Sequence, residues 1–483
     1  MIRAFLKDSV IYAIPALVTR GISIFLVPLY TRVLTASDYG SFDLLMIFSN
    51  VALLVVAMEI SQGVARFYST SECGATRVRY VSSAFWFTLC CYFLFSIVLF
   101  KFAEPLSRFF MGQAGLVCEF YVGVIYIVLN AFFSFLQNQF RWELRARDYA
   151  VASFIFSLMS AAGAVFFAYY LRWGLLGLLT GLSIGAALGV AYGVINLRHS
   201  LRFQFDWALL REMLAFSLPL VPASLLVVAG IYIDRIMISN LMTIEDVGLF
   251  GVGARLAGIV GLLVVGFQGA LTPLIYAHYR EAKTPDNLAA IFRYFVAIAL
   301  LVCVSVSLFA RDILVLLTTP EYYKAETVVA FLAPAMLLAQ MYIFAPGIGI
   351  AKKTHWIIWI NLLGVAVGVV LNYLLIPVLG IEGAAFSTLA CNFIVFVFYV
   401  CVSQRLYYVP HRWCRLIVAS FLSFLVVFGV TFLELIGWVG WVVNCAVVLA
   451  LALFFVALDL VSLHDLCLAR RMLLRIWKRV GGV

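Results

Sequence analysis

Seven ionisable side chains stand where apolar sequence should not hold them. Arg20 and Arg32 fall in the first long apolar stretch, Glu59 and Arg66 in the second, Asp234 and Arg235 in the seventh, and Arg255 in the eighth. A charge in hydrocarbon is costly unless it faces a water-filled cavity or a partner, so each residue is a candidate for function. Five are positive and two negative, and a cavity enclosing them would be cationic. Glu59, Gln62, Gly63 and Arg66 recur at i, i+3, i+4 and i+7, one stripe on a helix. Arg255 is flanked on its own face by Gly251 and Gly258. Asp234 and Arg235 are consecutive, about 100° apart on a helix, so each needs a partner elsewhere. Arg20, Arg66, Arg235 and Arg255 are therefore the candidate substrate-binding residues. Glu59 and Asp234 either neutralise arginines or bind a coupling cation. No Ser/His/Asp set, metal-ligand cluster or phosphate-binding glycine loop appears in the sequence, so neither catalytic residues nor a metal or cofactor are expected.

The elements that must position these groups are membrane helices. Hydrophobic residues make up 65% of 483 positions and charged residues 12%, with a mean hydropathy of +1.09. A soluble domain holds about 45–50% apolar and about 25% charged residues. The pattern gives an all-α polytopic membrane protein with 14 transmembrane helices. The expected spans are 9–33, 40–67, 81–102, 116–136, 150–171, 175–196, 214–238, 247–277, 288–308, 328–350, 356–379, 383–403, 416–436 and 441–461, each near the roughly 20 residues that cross a bilayer. The first is expected to be retained, because no small-residue cleavage site follows it.

Positive charge orients the map. With a cytoplasmic N-terminus, twenty-two lysines and arginines fall on inside segments, and only Lys101, Arg108, Arg172, Arg311 and Lys324 fall outside. Both termini are then cytoplasmic, and the net charge of +10 is a topology signal, not a nucleic-acid footprint. Trp142, Trp173, Trp207, Trp356, Trp413, Trp438 and Trp441 lie near span ends, as interfacial rings do. The ten cysteines fit neither a disulfide framework nor metal spacing.

An offset of 208 residues lays Thr35-x-x-Asp38-x-Gly40-x-Phe42 on Thr243-x-x-Asp246-x-Gly248-x-Phe250. This internal duplication predicts two parallel pseudo-symmetric six-helix lobes, residues 1–205 and 206–405, followed by two C-terminal helices and a basic tail in 406–483. Parallel repeats of this kind are a transporter architecture, with the site between lobes that open alternately to each side. Asp38 and Asp246, in turns beside glycine, are expected to cap the helices that follow. Asn50, Asn130, Asn361, Asn372 and Asn392 are expected to be interhelical hydrogen-bond groups. Pro15, Pro28, Pro219 and Pro222 predict bent or broken first helices in both halves.

The run Pro28-Leu-Tyr30-Thr-Arg32-Val-Leu-Thr-x-x-Asp38-Tyr-Gly40, with Gln62-Gly63-x-x-Arg66-Phe-Tyr68, Asp234-Arg235-x-x-Ile238-x-x-Leu241 and Asp246-x-Gly248-x-Phe250-x-x-x-x-Arg255-Leu, resembles polysaccharide flippases of the O-antigen type. These belong to the multidrug/oligosaccharidyl-lipid/polysaccharide exporter (MOP) superfamily, and the likeness extends over residues 1 to about 460. Phe250 stands where many relatives have tyrosine. The resemblance implies a V-shaped twelve-helix core plus two helices, acting as an inner-membrane flippase. The implied substrate is an undecaprenyl-diphosphate-linked oligosaccharide, carried from the cytoplasmic to the periplasmic leaflet by alternating access. A polysaccharide polymerase or glycosyltransferases are the expected partners, with membrane lipid and no nucleic acid, and a monomer is the expected state. Arginine forks bind phosphate oxygens bidentately and stay charged when desolvated. Coupling to an H+ or Na+ gradient or to the membrane potential is expected.

Two other classes compete. A multidrug or cation antiporter of the same superfamily shares the two-lobe plan but needs an acidic site, whereas the buried excess here is basic. A membrane glycosyltransferase or polymerase needs a sizeable external loop, and the longest outside segments, 103–115 and 309–327, are short.

Overall fold

The computed structural model describes residues 21, 26–71, 73–113, 115–351, 353, 355–431, 437–458 and 460. Helices are the regular secondary structure of the described residues, with no strand among them. The elements are α1 (Val27–Val33), α2 (Ala36–Val55), α3 (Ile60–Thr70), α4 (Gly74–Lys101), α5 (Ala103–Met111), α6 (Val117–Trp142), α7 (Ala146–Ala164), α8 (Gly174–Leu197) and α9 (Trp207–Ser217). They continue with α10 (Val221–Leu241), α11 (Ile244–His278), α12 (Thr284–Leu308), α13 (Ala310–Leu317), α14 (Glu326–Leu338), α15 (Gly347–Ile350), α16 (His355–Leu406), α17 (Trp413–Thr431) and α18 (Trp438–Ala457).

Among the described residues, twelve helical stretches are long and apolar enough to cross a membrane. Their flanks expose large apolar side chains such as Phe93, Leu94, Leu158, Val378 and Leu449, as a lipid-facing surface requires. The chain is thus a multi-pass membrane protein. The expected first span, with Pro15, lies mostly outside the described residues. The expected eleventh and twelfth spans are one 52-residue element, α16, bent at Gly380, whose φ of 63° only glycine adopts freely. Pro219 and Pro222 interrupt the seventh span: α9 ends at Ser217, a 3₁₀ turn covers Leu218–Leu220, and α10 starts at Val221.

The chain packs as two compact units. The first comprises Met1–Arg255, Leu314–Ala325 and Asn361–Cys391. Its tightest seam joins α7 and α8, where a side chain on Gly163 would strike the Gly181 backbone at 2.7 Å. The starts of α2 and α11 form a second seam. Thr35 and Asp38 make a capping box at α2, and Thr243 and Asp246 repeat it at α11. A Cβ on Gly40 would lie 2.1 Å from the Ile244 carbonyl, and one on Gly248 would lie 2.0 Å from the Ala36 carbonyl. Ala36 and Gly40 are the 208-offset mates of Ile244 and Gly248, so the repeated motif touches its own copy reciprocally. The segment 314–325 straps this end. Tyr322 donates to the Leu34 carbonyl at 2.9 Å, and Glu321 accepts from the Ala36 amide at 2.9 Å.

The second unit comprises Leu256–Ile313, Glu326–Ile360 and Asn392–Val483. Here α12 packs against α14, α17 and α18. Asn444 donates to the Leu308 carbonyl at 3.0 Å, and Asn392 to the Ala335 carbonyl at 3.1 Å, interhelical bonds of the kind membrane helices use. Between α16 and α17, His411 lies against the Phe292 and Trp413 rings. Burial there pushes its imidazole down to about 4.

Candidate functional site

The capping box starts α2 so that Tyr39 and Asp43, four residues apart, share a face within its first two turns. On α11, Gly251 and Arg255 share a face by the same spacing. Because Gly251 has no side chain, the Asp43 carboxylate and the Tyr39 ring can lie against the helix: a Cβ there would meet Asp43 Oδ2 at 3.1 Å and Tyr39 Cε1 at 3.2 Å. The third wall is α10, which packs along α2 and carries Tyr232 and Arg235.

Arg235 is buried and pairs with Asp43, Nε to Oδ2, at 2.5 Å. This is a charge contact without hydrogen-bond alignment, for both atoms are buried and neither has a hydrogen-bond partner. The Arg235 guanidinium also lies 5.5 Å from the Tyr232 ring centre and 5.6 Å from that of Phe250. Arg255 is held differently. Its guanidinium sits among the rings of Tyr39 at 4.9 Å, Phe42 at 5.4 Å and Tyr30 at 5.7 Å, with no ion pair among the described residues. Cation–π contacts of desolvated groups are worth about 2 kcal/mol, enough to seat the side chain without neutralising it. Two guanidiniums against one carboxylate leave this cluster with a net positive charge in apolar surroundings.

The other candidates lie apart from it. Asp234 is buried and accepts from Asn372 Nδ2 at 2.7 Å and from Thr388 Oγ1 at 2.8 Å, both on α16. Its partners are neutral donors, and Asn372 is the interhelical hydrogen-bond group expected of it. Glu59 lies at a break between α2 and α3. Met58 and Glu59 both take left-handed backbone with φ of 52°, a conformation costing about 1–2 kcal/mol per residue. The Tyr92 hydroxyl donates to the Ala52 carbonyl beside this break. Glu59 lines a cavity of about 90 Å³ with Gln62, Thr88, Tyr92, Ser134 and Asn138. Arg66 is exposed and stacks on Phe216 at 4.6 Å, and Arg32 is exposed near the end of α1. Arg20 lies outside the described residues.

The sequence reading missed Asp43, although it is an ionisable residue within the second span and the same rule of cost would have marked it. It also passed over Arg293 in the ninth span, which donates to the Tyr294 hydroxyl at 3.0 Å. Nothing in the sequence signals the break at Met58, where neither proline nor glycine stands.

This helical architecture has close counterparts among solved structures. "Lipid II flippase MurJ, inward closed conformation" superposes with a TM-score of 0.74 at 12% identity, covering 93% of this chain and 98% of that one. An inward-facing multidrug resistance MATE family transporter of the MOP superfamily gives 0.65 at 15% identity, with 83% and 97% covered. A MOP superfamily transporter from Pyrococcus furiosus Vc1, described as having a binding pocket of reverse polarity, gives 0.58 at 16%, with 83% and 95% covered. The chain shares the fold of these three solved structures. Protein 1 of the Lsg locus of Haemophilus influenzae is 25% identical over 288 residues, 57% of this chain and 67% of that protein. The family model described as "Polysaccharide biosynthesis protein" matches residues 29–274, just over half of the sequence, and the chain belongs to that family.

Proposed function

We propose that the protein is a flippase for lipid-linked oligosaccharides, moving undecaprenyl-diphosphate-linked glycan units from the cytoplasmic to the periplasmic leaflet of the bacterial inner membrane. The observation that carries the reading is a buried cluster of two guanidiniums with one carboxylate: Arg235 pairs with Asp43, and Arg255 sits nearby among the Tyr30, Tyr39 and Phe42 rings. A diphosphate carries about two negative charges, and guanidinium forks bind phosphate oxygens bidentately while remaining charged. Family membership and the likeness to a lipid II flippase support this substrate class. In the proposed scheme both termini are cytoplasmic. Lobes 1–205 and 206–405 alternate access as a monomer, and Arg20 and Arg66 assist the head group. Glu59 or Asp234 takes an inward H+ or Na+. A polymerase or glycosyltransferases hand over and receive the glycan.

Moving two negative charges outward, down the gradient of an inside-negative potential, releases roughly 4–5 kcal/mol per 100 mV, so voltage alone can drive the step. The test is transport of a radiolabelled polyprenyl-diphosphate oligosaccharide in proteoliposomes, with and without an imposed potential. Arg235→Ala and Arg255→Ala are expected to abolish it in folded protein. The lysine variants should recover only part of the rate, because an ammonium keeps the charge but loses the fork. Wild-type transport by both alanine variants would refute the reading, and export of a cationic dye in place of the glycan would favour the antiporter class.

A further inference from the structure

We propose that Asp43 is a resident anion that holds Arg235 in the empty carrier, and that the anionic head group of the cargo displaces it. The displacement frees the seam between the first turns of α2 and α11. The inference rests on Arg235 being a cargo-binding residue and concerns how binding there is regulated.

Four observations converge on Asp43. Its carboxylate is buried and its described salt-bridge partner is Arg235, so the two charges compensate each other in a medium that screens them weakly. Their contact is not an aligned hydrogen bond, whereas the strong arginine–carboxylate pairs are frequently bidentate. An attraction without that geometry is one a better-fitting anion can replace. Next, Asp43 lies one turn along α2 from Gly40, at the reciprocal contact with Ile244 and Gly248. The ion pair ties α2 to α10 just behind the place where α2 meets α11. Third, the 208-residue offset makes Asp43 the mate of Gly251, against which its carboxylate is seated. The duplication therefore keeps glycine at two facing positions, 40 and 248, but breaks its symmetry at the next, with a carboxylate on one copy and no side chain on the other. Packing alone gives no reason to bury a charge there.

The fourth observation concerns charge. Arg255, four residues from Gly251, has no ion pair among the described residues. A carboxylate with one charge satisfies one guanidinium. A diphosphate with about two charges can meet both, so cargo outcompetes Asp43 by engaging Arg255 as well. A monoanion offers no such advantage and leaves the seam shut.

The test uses the full chain in detergent, with its native cysteines replaced and one reporter cysteine at Val247, a fully buried residue in the first turn of α11. Two quantities are measured: the maleimide labelling rate of the reporter and the affinity for farnesyl diphosphate. The unmodified site should label slowly and accelerate at least tenfold with farnesyl diphosphate, but not with farnesyl methyl phosphate, a diester that carries a single negative charge. Asp43→Asn should label at the fast rate without ligand and bind the diphosphate about tenfold more tightly, since the internal competitor is gone. Labelling and affinity unchanged in Asp43→Asn would overturn the proposal while leaving Arg235 as a cargo residue. Unchanged affinity in Arg235→Ala would instead remove the reading beneath it. If Asp43→Asn does not fold, the double variant Asp43→Arg/Arg235→Asp decides. A closed seam that ignores the diphosphate supports the lock, and a seam open without ligand overturns it.

Discussion

Asp234 and Arg235 are neighbours in the chain, yet the structure treats them in opposite ways. The Asp234 carboxylate is received on one side of α10 by Asn372 and Thr388, two neutral donors at 2.7 and 2.8 Å. The Arg235 guanidinium is turned to a different face, where it meets Asp43 without an aligned hydrogen bond. Hydrogen bonds to a charged group contribute about 1.5–3 kcal/mol each, so the carboxylate side is a fixture of the fold. The guanidinium side holds a compensated charge without good geometry, and such a pair contributes little to stability against an apolar replacement. The difference separates a carboxylate anchored by neutral hydrogen bonds from a guanidinium kept ready for an incoming ligand.

The largest effect expected from this contrast is at Asp234. Asp234→Ala leaves Asn372 and Thr388 without their acceptor and should lower unfolding stability by about 3 kcal/mol, measured by denaturant titration in detergent. A loss below about 1 kcal/mol would break the comparison. On the other side, the double variant Asp43→Leu/Arg235→Met replaces the ion pair by apolar volume. It should keep or raise stability, by up to about 2 kcal/mol, while transport is lost. Equal destabilisation at both sides would show that the two are alike.

His411 extends the contrast to the second unit, outside the membrane spans. Its pKa is held near 4 by burial, below the unfolded value of about 6.5, so the folded state favours the neutral ring. The stability this contributes is present above pH 6.5 and is lost as pH falls from there toward 4. Between pH 7 and pH 5 the loss should be about 1–2 kcal/mol, and His411→Phe should flatten that dependence in a melt series. The smallest effect is at the break in the second span. Met58→Gly relieves one left-handed residue and should add about 1 kcal/mol in the same denaturant assay. A destabilisation there would mean that the Met58 side chain holds the break.

Much of this contrast was legible in the sequence. The cost of charge in apolar sequence marked Asp234, Arg235 and Arg255 individually, and helical spacing showed that the first two cannot pair. The turns beside glycine at Asp38 and Asp246 mark a cap at each helix start, because a cap is a local device, but the capping residue is the threonine three positions earlier and the aspartate closes the box from the third helical position. Which partner each charge finds was not legible, since Asp43, Asn372 and Thr388 are brought in by tertiary packing across 138 to 192 residues of chain. The break at Met58–Glu59 was hidden for a related reason. The 208-offset mate of Met58 is Gly266, yet that glycine lies within continuous α11 while the methionine takes the left-handed turn. The tertiary hydrogen bond beside it, from Tyr92 to the Ala52 carbonyl, joins residues 40 positions apart, a contact no local pattern announces.

The reciprocal glycine contact has a further consequence. It brings the N-termini of α2 and α11 together, and each helix end carries roughly half a positive charge. Two such ends pressed backbone to backbone repel. Three carboxylates oppose that repulsion, since Asp38 and Asp246 close their own capping boxes and Glu321 accepts from the Ala36 amide. The joint therefore behaves as an electrostatic spring whose preload is set by acids within one turn of the contact. Two of those acids travel with the helices, and the third is borrowed from a distant strap that holds the spring compressed only while it stays in place.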